Sequence, residues 1–244
     1  MKKYIRVLVL GLALIATAGL FGGGAAGAEE KPRIGVLRFT NQTSAGWWHG
    51  GVGSELQDML INELASNKSL RVLERKELDA VLGEQDLGAS GRIAPNTRAK
   101  LGQVTGAKYL VAATVSAFEE GASGQGGGIS IGGISVGGKQ ERAYIAVDLK
   151  VIDVDTGEIA ESRTVEATSK SGGLSLGLHT FGIGGELNKQ AKTPTGKAIR
   201  ACIVEIAEYL DCSMVRGSKD PCMAEYKAKE QKRREKTKGS VDLE

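Results

Sequence analysis

The chain has 244 residues, and its 32 basic side chains nearly balance its 29 acidic ones. A body this close to neutral gives no general electrostatic reason to expect nucleic-acid binding. The three cysteines and two histidines match no common zinc-binding spacing, so a metal site is not expected.

The first 28 residues have the three parts of a secretory signal peptide. Lys2 and Lys3 precede a nearly continuous apolar stretch over 4–21, and Ala26-Gly27-Ala28 fits the small-residue cleavage rule. A signal anchor is the alternative, whereas a lipoprotein signal is not expected because no cysteine follows the apolar stretch. Removing three basic residues with this leader leaves 29 basic and 29 acidic residues. The mature chain of about 216 residues is long enough for one domain with additions.

The next segment alternates short strands with helices. A strand over 33–39 leads through the loop 41–53 into a helix that begins at Ser54, with Gln57 placed for a capping box. The sequence after this helix predicts a strand over 70–73, a helix over 74–82, a polar loop over 83–96, a short helix over 97–104 and a strand over 109–118.

The second half contains the strongest strand pattern, over 143–154, followed by a turn at Asp155-Thr156-Gly157 and a partner strand over 158–168. Thr193 and Pro194 predict the start of a helix that runs to Leu210. A final polar helix begins at Asp220-Pro221, and its basic stretch over 227–238 is typical of a solvated face. These patterns predict an α/β domain over 29–212 and a polar helix or tail over 213–244.

Three stretches read Gly-apolar-Ser-apolar-Gly, at 128–132, 133–137 and 173–177. The pattern matches the nucleophile elbow of hydrolases, but an elbow needs a strand, a sharp turn and a helix around one serine. These stretches are too rich in glycine for a helix, and no histidine is placed to serve each serine. Alternation instead predicts strands with one apolar face and one small polar face, which suits the wall of a membrane β-barrel.

The first two stretches mirror each other about Gly132-Gly133, a pair that favours a two-residue hairpin turn. Folding the chain there pairs Ile131 with Ile134, Ser130 with Ser135 and Ile129 with Val136. The third stretch has a similar mirror about His179-Thr180. We therefore predict two hairpins, over 119–146 and 167–190, with lipid-facing side chains Ile129, Ile131, Ile134, Val136, Leu174, Leu176, Leu178, Phe181 and Ile183. Two flexible Gly-rich loops are the alternative, because the apolar runs are short against the ~9–11 residues of a membrane strand.

Insertion of these hairpins would require a homo-oligomeric ring. Four strands from one chain leave open edges whose backbone groups lipid cannot satisfy. Bilayer-spanning barrels have eight or more strands, and a water-filled lumen needs about 16, hence at least about four chains.

Several segments together resemble the family of the curli secretion channel CsgG. They are RIGVLRFTNQT (33–43), RVLERKELDAVLGEQ (71–85), KYLVAATVSAFEE (108–120) and YIAVDLKVIDVDTGEIAESRTVEATSK (144–170), and the resemblance covers roughly residues 33–212. It implies an outer-membrane ring in which each protomer gives two hairpins to one shared transmembrane β-barrel, above a periplasmic α/β domain. It also implies export of unfolded amyloid subunits without nucleotide hydrolysis. The sequence contains no convincing acid–base pair, P-loop or metal cluster, so neither a cofactor nor an enzyme activity is expected.

In this family a loop after the first strand narrows the pore. That position is held here by residues 41–53, with constriction candidates Asn41, Gln42, Trp47, Trp48 and His49. Because adjacent residues cannot easily both turn inward, at least one tryptophan is expected to be exposed, where aromatic rings would contact a passing chain. The alternative is a loop packed against its own domain or a neighbour. The chain departs from the family in lacking a lipidated cysteine, in its shorter Trp-Trp-His loop and in its shorter second hairpin.

The remaining expectations concern the thiols and the partners. Cys212 and Cys222 flank a short polar loop and could pair in an oxidising compartment, whereas Cys202 is expected to be a buried thiol. The expected partners are other copies of the chain, outer-membrane lipid, a secreted polypeptide and a periplasmic accessory protein. The rival function is a soluble periplasmic accessory or binding protein that docks onto an envelope enzyme, with the hairpins as docking arms.

Overall fold

The computed structural model describes residues 30–123, 129–131, 134–136, 140–170 and 192–240. The strands in these ranges are β1 (Arg33–Val36), β2 (Thr40–Asn41), β3 (Arg71–Leu73), β4 (Tyr109–Ser123), β5 (Ile129–Ile131), β6 (Ile134–Val136), β7 (Gln140–Asp153) and β8 (Ile159–Lys170). The helices are α1 (Val52–Asn67), α2 (Leu78–Ala89), α3 (Pro194–Asp211) and α4 (Pro221–Lys238), with a π-helical turn over Cys212–Arg216 between the last two. None of the described helices has the length and apolarity to cross a membrane.

One mixed sheet organises the domain. Its order is β3-β1-β4-β7-β8, with β2 also paired to β4, while β5 and β6 form a separate two-stranded ribbon. Strands β3, β1 and β4 are parallel, and β4, β7 and β8 are antiparallel. Strands β3 and β8 are therefore the two outer strands of the sheet.

The core lies on the sheet face that α1 and α3 cover. Alternation along β7 buries Ile145, Val147, Leu149 and Val151, as the sequence predicts. Helix α3 contributes Ile199, Cys202, Ile203, Ile206 and Leu210 to the same core, and α1 contributes Leu56, Leu60 and Leu64. One face of a strand carries every second residue, and one face of a helix carries residues about 3.6 apart. The apolar residues follow these spacings, so they meet in one layer between the sheet and the two helices.

Two helix starts follow the predicted capping chemistry. The Thr193 hydroxyl accepts a hydrogen bond from the Gly196 N–H at 3.1 Å, and a carboxylate oxygen of Asp220 accepts one from the Cys222 N–H at 2.9 Å. Each capping residue is followed by a proline at the first helical position, where no N–H is needed. Local signals therefore fix where α3 and α4 begin.

Other boundaries differ from the predictions. Helix α1 begins at Val52 rather than Ser54 and has no side-chain cap, because the Gln57 amide is buried and donates to the Val36 carbonyl at 2.7 Å. Helix α2 begins four residues later than predicted and runs through Gly83. The Glu74 carboxylate explains the late start, since it accepts hydrogen bonds from the N–H groups of the three following residues.

The predicted helix over 97–104 is wrong. This segment forms turns, and Gly102 lies in the left-handed region at φ +69°. A residue with positive φ interrupts a right-handed helix, and glycine adopts that conformation without steric cost.

Strands β4 and β7 stay paired beyond Glu120, where β4 contacts the start of α3. Their register runs from Tyr109↔Asp153 to Ser123↔Gln140, with a β-bulge between Val115 and Ala117. Strand β8 stays paired with β7 as far as Lys170↔Arg142. Three long strands therefore lead from the α/β domain toward the two predicted hairpins.

The tip of the first hairpin has the register that the sequence mirror predicts. The backbone pairs Ile129↔Val136, Ser130↔Ser135 and Ile131↔Ile134 are all present. The corresponding residues of the second hairpin (Leu174, Leu176, Leu178, Phe181 and Ile183) lie outside the described residues.

Candidate functional site

The loop that carries both tryptophans is closed at its base by the strands and helix beside it. We call residues 42–51, between β2 and α1, the tryptophan loop. The Phe39 N–H donates to the Gly53 carbonyl at 3.1 Å, and the hydroxyls of Thr40 and Thr114 lie 2.7 Å apart. A Cβ on Gly53 would lie 2.4 Å from the Phe39 carbonyl oxygen, so only glycine allows this approach. The two ends of the loop are consequently held together.

Asn41 shapes the start of the tryptophan loop. Its side-chain oxygen accepts hydrogen bonds from the Thr43 N–H at 2.9 Å and the Thr43 hydroxyl at 2.7 Å, while its amide donates to the Thr43 carbonyl. This Asx turn is partly buried. The neighbouring Gln42 donates its N–H to the Val115 carbonyl and leaves its side chain exposed. Asn41 is therefore engaged in loop structure, and Gln42 is available for contacts.

Trp47 belongs to the core rather than to an exposed ring of side chains. Its side chain is only 6% exposed and packs edge-on against Phe118 of β4 and against Trp48. A side chain buried inside its own protomer cannot line a lumen, so the assignment of Trp47 as a constriction residue is corrected here. Trp48 is half-buried against Trp47, and His49 is exposed. The expectation of at least one exposed tryptophan is therefore met only in part.

Of the sequence-predicted constriction residues, Gln42 and His49 are exposed and Trp48 is half-buried. The loop beyond them is held by Arg38, whose guanidinium donates to the Gly50 carbonyl at 2.5 Å. Phe118 lies just after the β-bulge in β4, where the strand begins its extension toward the hairpin. The tryptophan loop thus sits at the base of the first hairpin.

A second contact joins the base of this hairpin to the helical layer. The Thr195 hydroxyl in the first turn of α3 donates to a Glu120 carboxylate oxygen at 2.8 Å, and Thr195 is buried. The start of α3 and the extension of β4 are therefore fixed relative to each other.

Cys202 lies within α3, and Cys212 follows its C-terminal end. Cys212 and Cys222 form a disulfide, and Cys202 is free and buried. Burial raises the pKa of the Cys202 thiol to about 12. Because the thiolate is the reactive form, Cys202 is expected to be chemically inert in the folded protein.

A cluster around Arg163 was not predicted from the sequence. Its guanidinium lies over the rings of Tyr209 and Tyr226, 5.1 and 4.8 Å from their centroids, and donates to the Tyr226 carbonyl at 3.0 Å. The Tyr209 hydroxyl donates to Glu161 at 2.7 Å. These residues come from β8, α3 and α4, so no local pattern could reveal them. They hold α4 beside the outer strand β8.

Within the described ranges, no group of three or more His, Cys, Asp or Glu side chains is arranged to hold a metal ion.

The family model for the curli production assembly/transport component CsgG matches residues 22–241 of the chain. Curated proteins of that description from Escherichia coli (strain K12) and Salmonella typhimurium are each 29% identical to it over 127 residues. These matches cover 50% of this chain and 46% of each relative, so the chain spans about half the length of the curated relatives it matches. Among solved structures, the hypothetical protein CT253 from Chlamydia trachomatis is 16% identical, with a TM-score of 0.47 over 77% of this chain and 99% of that one.

Proposed function

The chain belongs to the CsgG family, and we propose that it forms an oligomeric outer-membrane pore through which unfolded polypeptide is exported. The observation that carries the proposal is the continuation of the sheet into a hairpin. Strands β4 and β7 remain paired to Ser123↔Gln140, and the ribbon of β5 and β6 follows in a mirror register. The exported chain would be a curli-like subunit of an amyloid or another fibre.

Alternation along the hairpins supports contact with lipid. Ile129 and Ile131 alternate with Ser130, and their pairing partners Val136 and Ile134 alternate with Ser135. In an antiparallel ribbon, directly paired residues lie on the same face, so the four apolar residues share one face and the two serines share the other. A membrane barrel needs this separation between a lipid-facing side and a water-facing side.

A ring is the assembly that satisfies the backbone of such strands. Hairpins from a single chain leave unpaired N–H and C=O groups at their outer edges, and each unsatisfied group costs several kcal/mol in hydrocarbon. Pairing with the hairpins of neighbouring copies removes those edges. The second hairpin, over 167–190, would supply the other two strands, and the first 28 residues would be removed as the chain is exported.

The tryptophan loop would form the constriction of this pore. If it repeats around the ring axis, its accessible side chains, among them Gln42, Trp48 and His49, would face the lumen. Aromatic and polar side chains give contacts that tolerate many sequences, and bulky rings restrict the leakage of solutes. No fuel is needed, because substrate capture on one side or folding on the other can give transport its direction.

Extraction and conductance test this function together. We expect the full-length protein to require detergent for extraction, to appear as rings in negative-stain images and to give discrete conductance steps in planar bilayers. A protein that leaves the envelope without detergent and gives no conductance would reject the pore. That result would favour the soluble periplasmic accessory protein, which docks onto an envelope enzyme or complex.

A further inference from the structure

Helix α4 reaches the face of the sheet opposite the one that α1 and α3 cover. Ile145 of β7 is buried in the core on the α3 side, so the adjacent Tyr144 lies on the opposite face. Glu119 and Thr168 pair directly with Tyr144 and therefore share its face. Arg233 of α4 lies close enough to influence Tyr144 electrostatically. The C-terminal half of α4 thus lies over the part of the sheet where three strands extend toward the hairpins.

A cavity of about 810 Å³ lies between this part of α4 and the three strands. Cavities of about 300–1,000 Å³ are typical of small-molecule sites. Three of its basic side chains are exposed and form no ion pair with any residue that the structure describes: Arg142, Lys170 and Lys236. The fourth, Arg233, is half-buried and paired with Glu230 of its own helix at 2.8 Å. The cavity therefore has cations from β7, β8 and α4 that are available to a ligand.

Two of the three carboxylates that line the cavity have partners within the domain. Glu120 accepts the hydrogen bond from the Thr195 hydroxyl, and Glu166 interacts with the Tyr144 hydroxyl. Among the described lining residues, Glu119 remains as one carboxylate against three available cations. Guanidinium and ammonium groups bind phosphate through charge-assisted hydrogen bonds. The charge balance of the cavity therefore suits a phosphate group.

The cavity lies on the side of the sheet that the hairpins are predicted to present to lipid. Residues that are an even number of positions apart along a strand share a face. Ile129 lies an even number of residues after Glu119. Val136 lies an even number of residues before Arg142. Regular alternation along both strands therefore predicts that the apolar face of the first hairpin and the cavity are on the same side.

We propose that this cavity binds the phosphate of an anionic phospholipid in the leaflet next to the α/β domain. The acyl chains of that lipid would lie along the apolar face of the hairpins. The inference rests on the proposed function, because inserted hairpins bring lipid to this face. Basic pockets at a membrane surface are a known way to hold anionic headgroups. Such a site would fix the height of the α/β domain relative to the bilayer.

Native mass spectrometry of the full-length protein in detergent measures lipid retention. The probes are phosphatidylglycerol, phosphatidylcholine and soluble glycerol phosphate. We expect phosphatidylglycerol to bind once per protomer and at least about tenfold more tightly than either comparison probe. The reason is that only phosphatidylglycerol combines a net negative headgroup with acyl chains. Equal binding of phosphatidylcholine or of glycerol phosphate would overturn the proposal.

Paired lysine variants show whether the cavity itself holds the headgroup. Lys170→Gln with Lys236→Gln should weaken phosphatidylglycerol binding about tenfold or more, because both cations leave the cavity. Lys227→Gln with Lys238→Gln is the matched control, since it also removes two charges but from a separate cavity beside Glu161. This control should bind the lipid like the parent, and circular dichroism verifies that both variants are folded. An equal loss in both variants, or no loss in the first, would overturn the headgroup site.

Conductance separates this inference from the pore. A parent that conducts in planar bilayers but binds all three probes alike refutes the headgroup site alone. A parent that binds phosphatidylglycerol through Lys170 and Lys236 but never conducts refutes the pore alone.

Discussion

Trp47 packs edge-on against Phe118, with ring centroids 5.5 Å apart and an angle of 74° between the ring planes. One ring belongs to the tryptophan loop and the other to the strand that continues into the first hairpin. Such aromatic pairs contribute about 0.5–1.5 kcal/mol beyond the area they bury. The contact therefore couples the position of the proposed constriction to the base of the proposed barrel.

Replacing Trp47 by alanine is expected to destabilise the domain. The side chain is 6% exposed, and removing a buried tryptophan typically costs about 3–5 kcal/mol. Urea unfolding followed by circular dichroism measures the change. Trp47→Phe should cost less, because phenylalanine keeps an aromatic contact and removes an indole N–H that has no hydrogen-bond partner in the structure. Equal stability of the parent and Trp47→Ala would contradict a core role for this ring.

The contrast between Trp47 and Trp48 shows where sequence analysis reached its limit. Adjacency predicts that the two rings are not equally buried, and Trp48 is indeed less buried than Trp47, although the two rings are in edge-on contact. Adjacency does not say which ring turns inward. That choice depends on Phe118, which lies 71 positions along the chain from Trp47 and after a β-bulge. The sequence mirror around Gly132-Gly133 succeeded, in contrast, because both partners lie within four residues of the turn.

Helices show the same division between local and distant causes. The starts of α3 and α4 were predictable because Thr193 and Asp220 cap them from within the same short segment. The start of α1 was not, because Gln57 bonds to the Val36 carbonyl of a strand instead of to its own helix end. The Arg163 cluster was missed for the same reason, since its three contributing elements meet only in the folded chain.

The disulfide between Cys212 and Cys222 should stabilise the attachment of α4. Closing a loop with a sequence separation of 10 lowers the entropy of the unfolded chain, worth roughly 2–3 kcal/mol. Replacing both cysteines by serine should lower the free energy of unfolding by about that amount. Cys202→Ser serves as the matched single-thiol comparison. Non-reducing peptide mapping checks the bond itself, and alkylation of Cys212 and Cys222 in the native protein would reject it.

Acid should weaken α4 through Glu230. Hydrogen bonds from Arg233 and then Arg234 lower the pKa of this carboxyl to about 2, from an ordinary value of 4.5. Because this pKa is lowered on folding, the contacts of the Glu230 carboxylate with Arg233 and Arg234 stabilise the folded state above about pH 4.5. That contribution is lost as the pH falls toward about 2. The effect should stay below about 1 kcal/mol, because the pair lies near the surface.

Comparison with Glu230→Gln isolates that effect. We expect the difference in unfolding free energy between the parent and this variant to be present at neutral pH and to shrink progressively below pH 4.5. A difference that stays constant across this range would show that the carboxylate charge does not stabilise the helix.

Lipid contact by the first hairpin predicts a face-specific response to charge. Ile131→Arg should cost up to ~2–4 kcal/mol near the bilayer midplane and less near the interface. Ser130→Arg, one residue away on the opposite face, is the matched control and should insert nearly as well as the parent. The yield of rings in membranes measures the difference, while circular dichroism verifies that the α/β domain remains folded. Insertion of both variants at the parent level would remove Ile131 from the lipid-facing set.

Trp48 gives the sharpest test of the constriction, because it is half-buried whereas its neighbour Trp47 is enclosed. If the tryptophan loop lines the narrowest part of the pore, Trp48→Ala should widen it and raise single-channel conductance in planar bilayers. Ring assembly should be unaffected, because this side chain is not part of the hairpins. His49→Ala is the matched variant at the adjacent exposed position, and its smaller loss of volume should raise conductance less. Trp47→Ala is a poor probe of the pore, since it perturbs the core. An unchanged conductance in correctly assembled Trp48→Ala rings would place the constriction outside this loop.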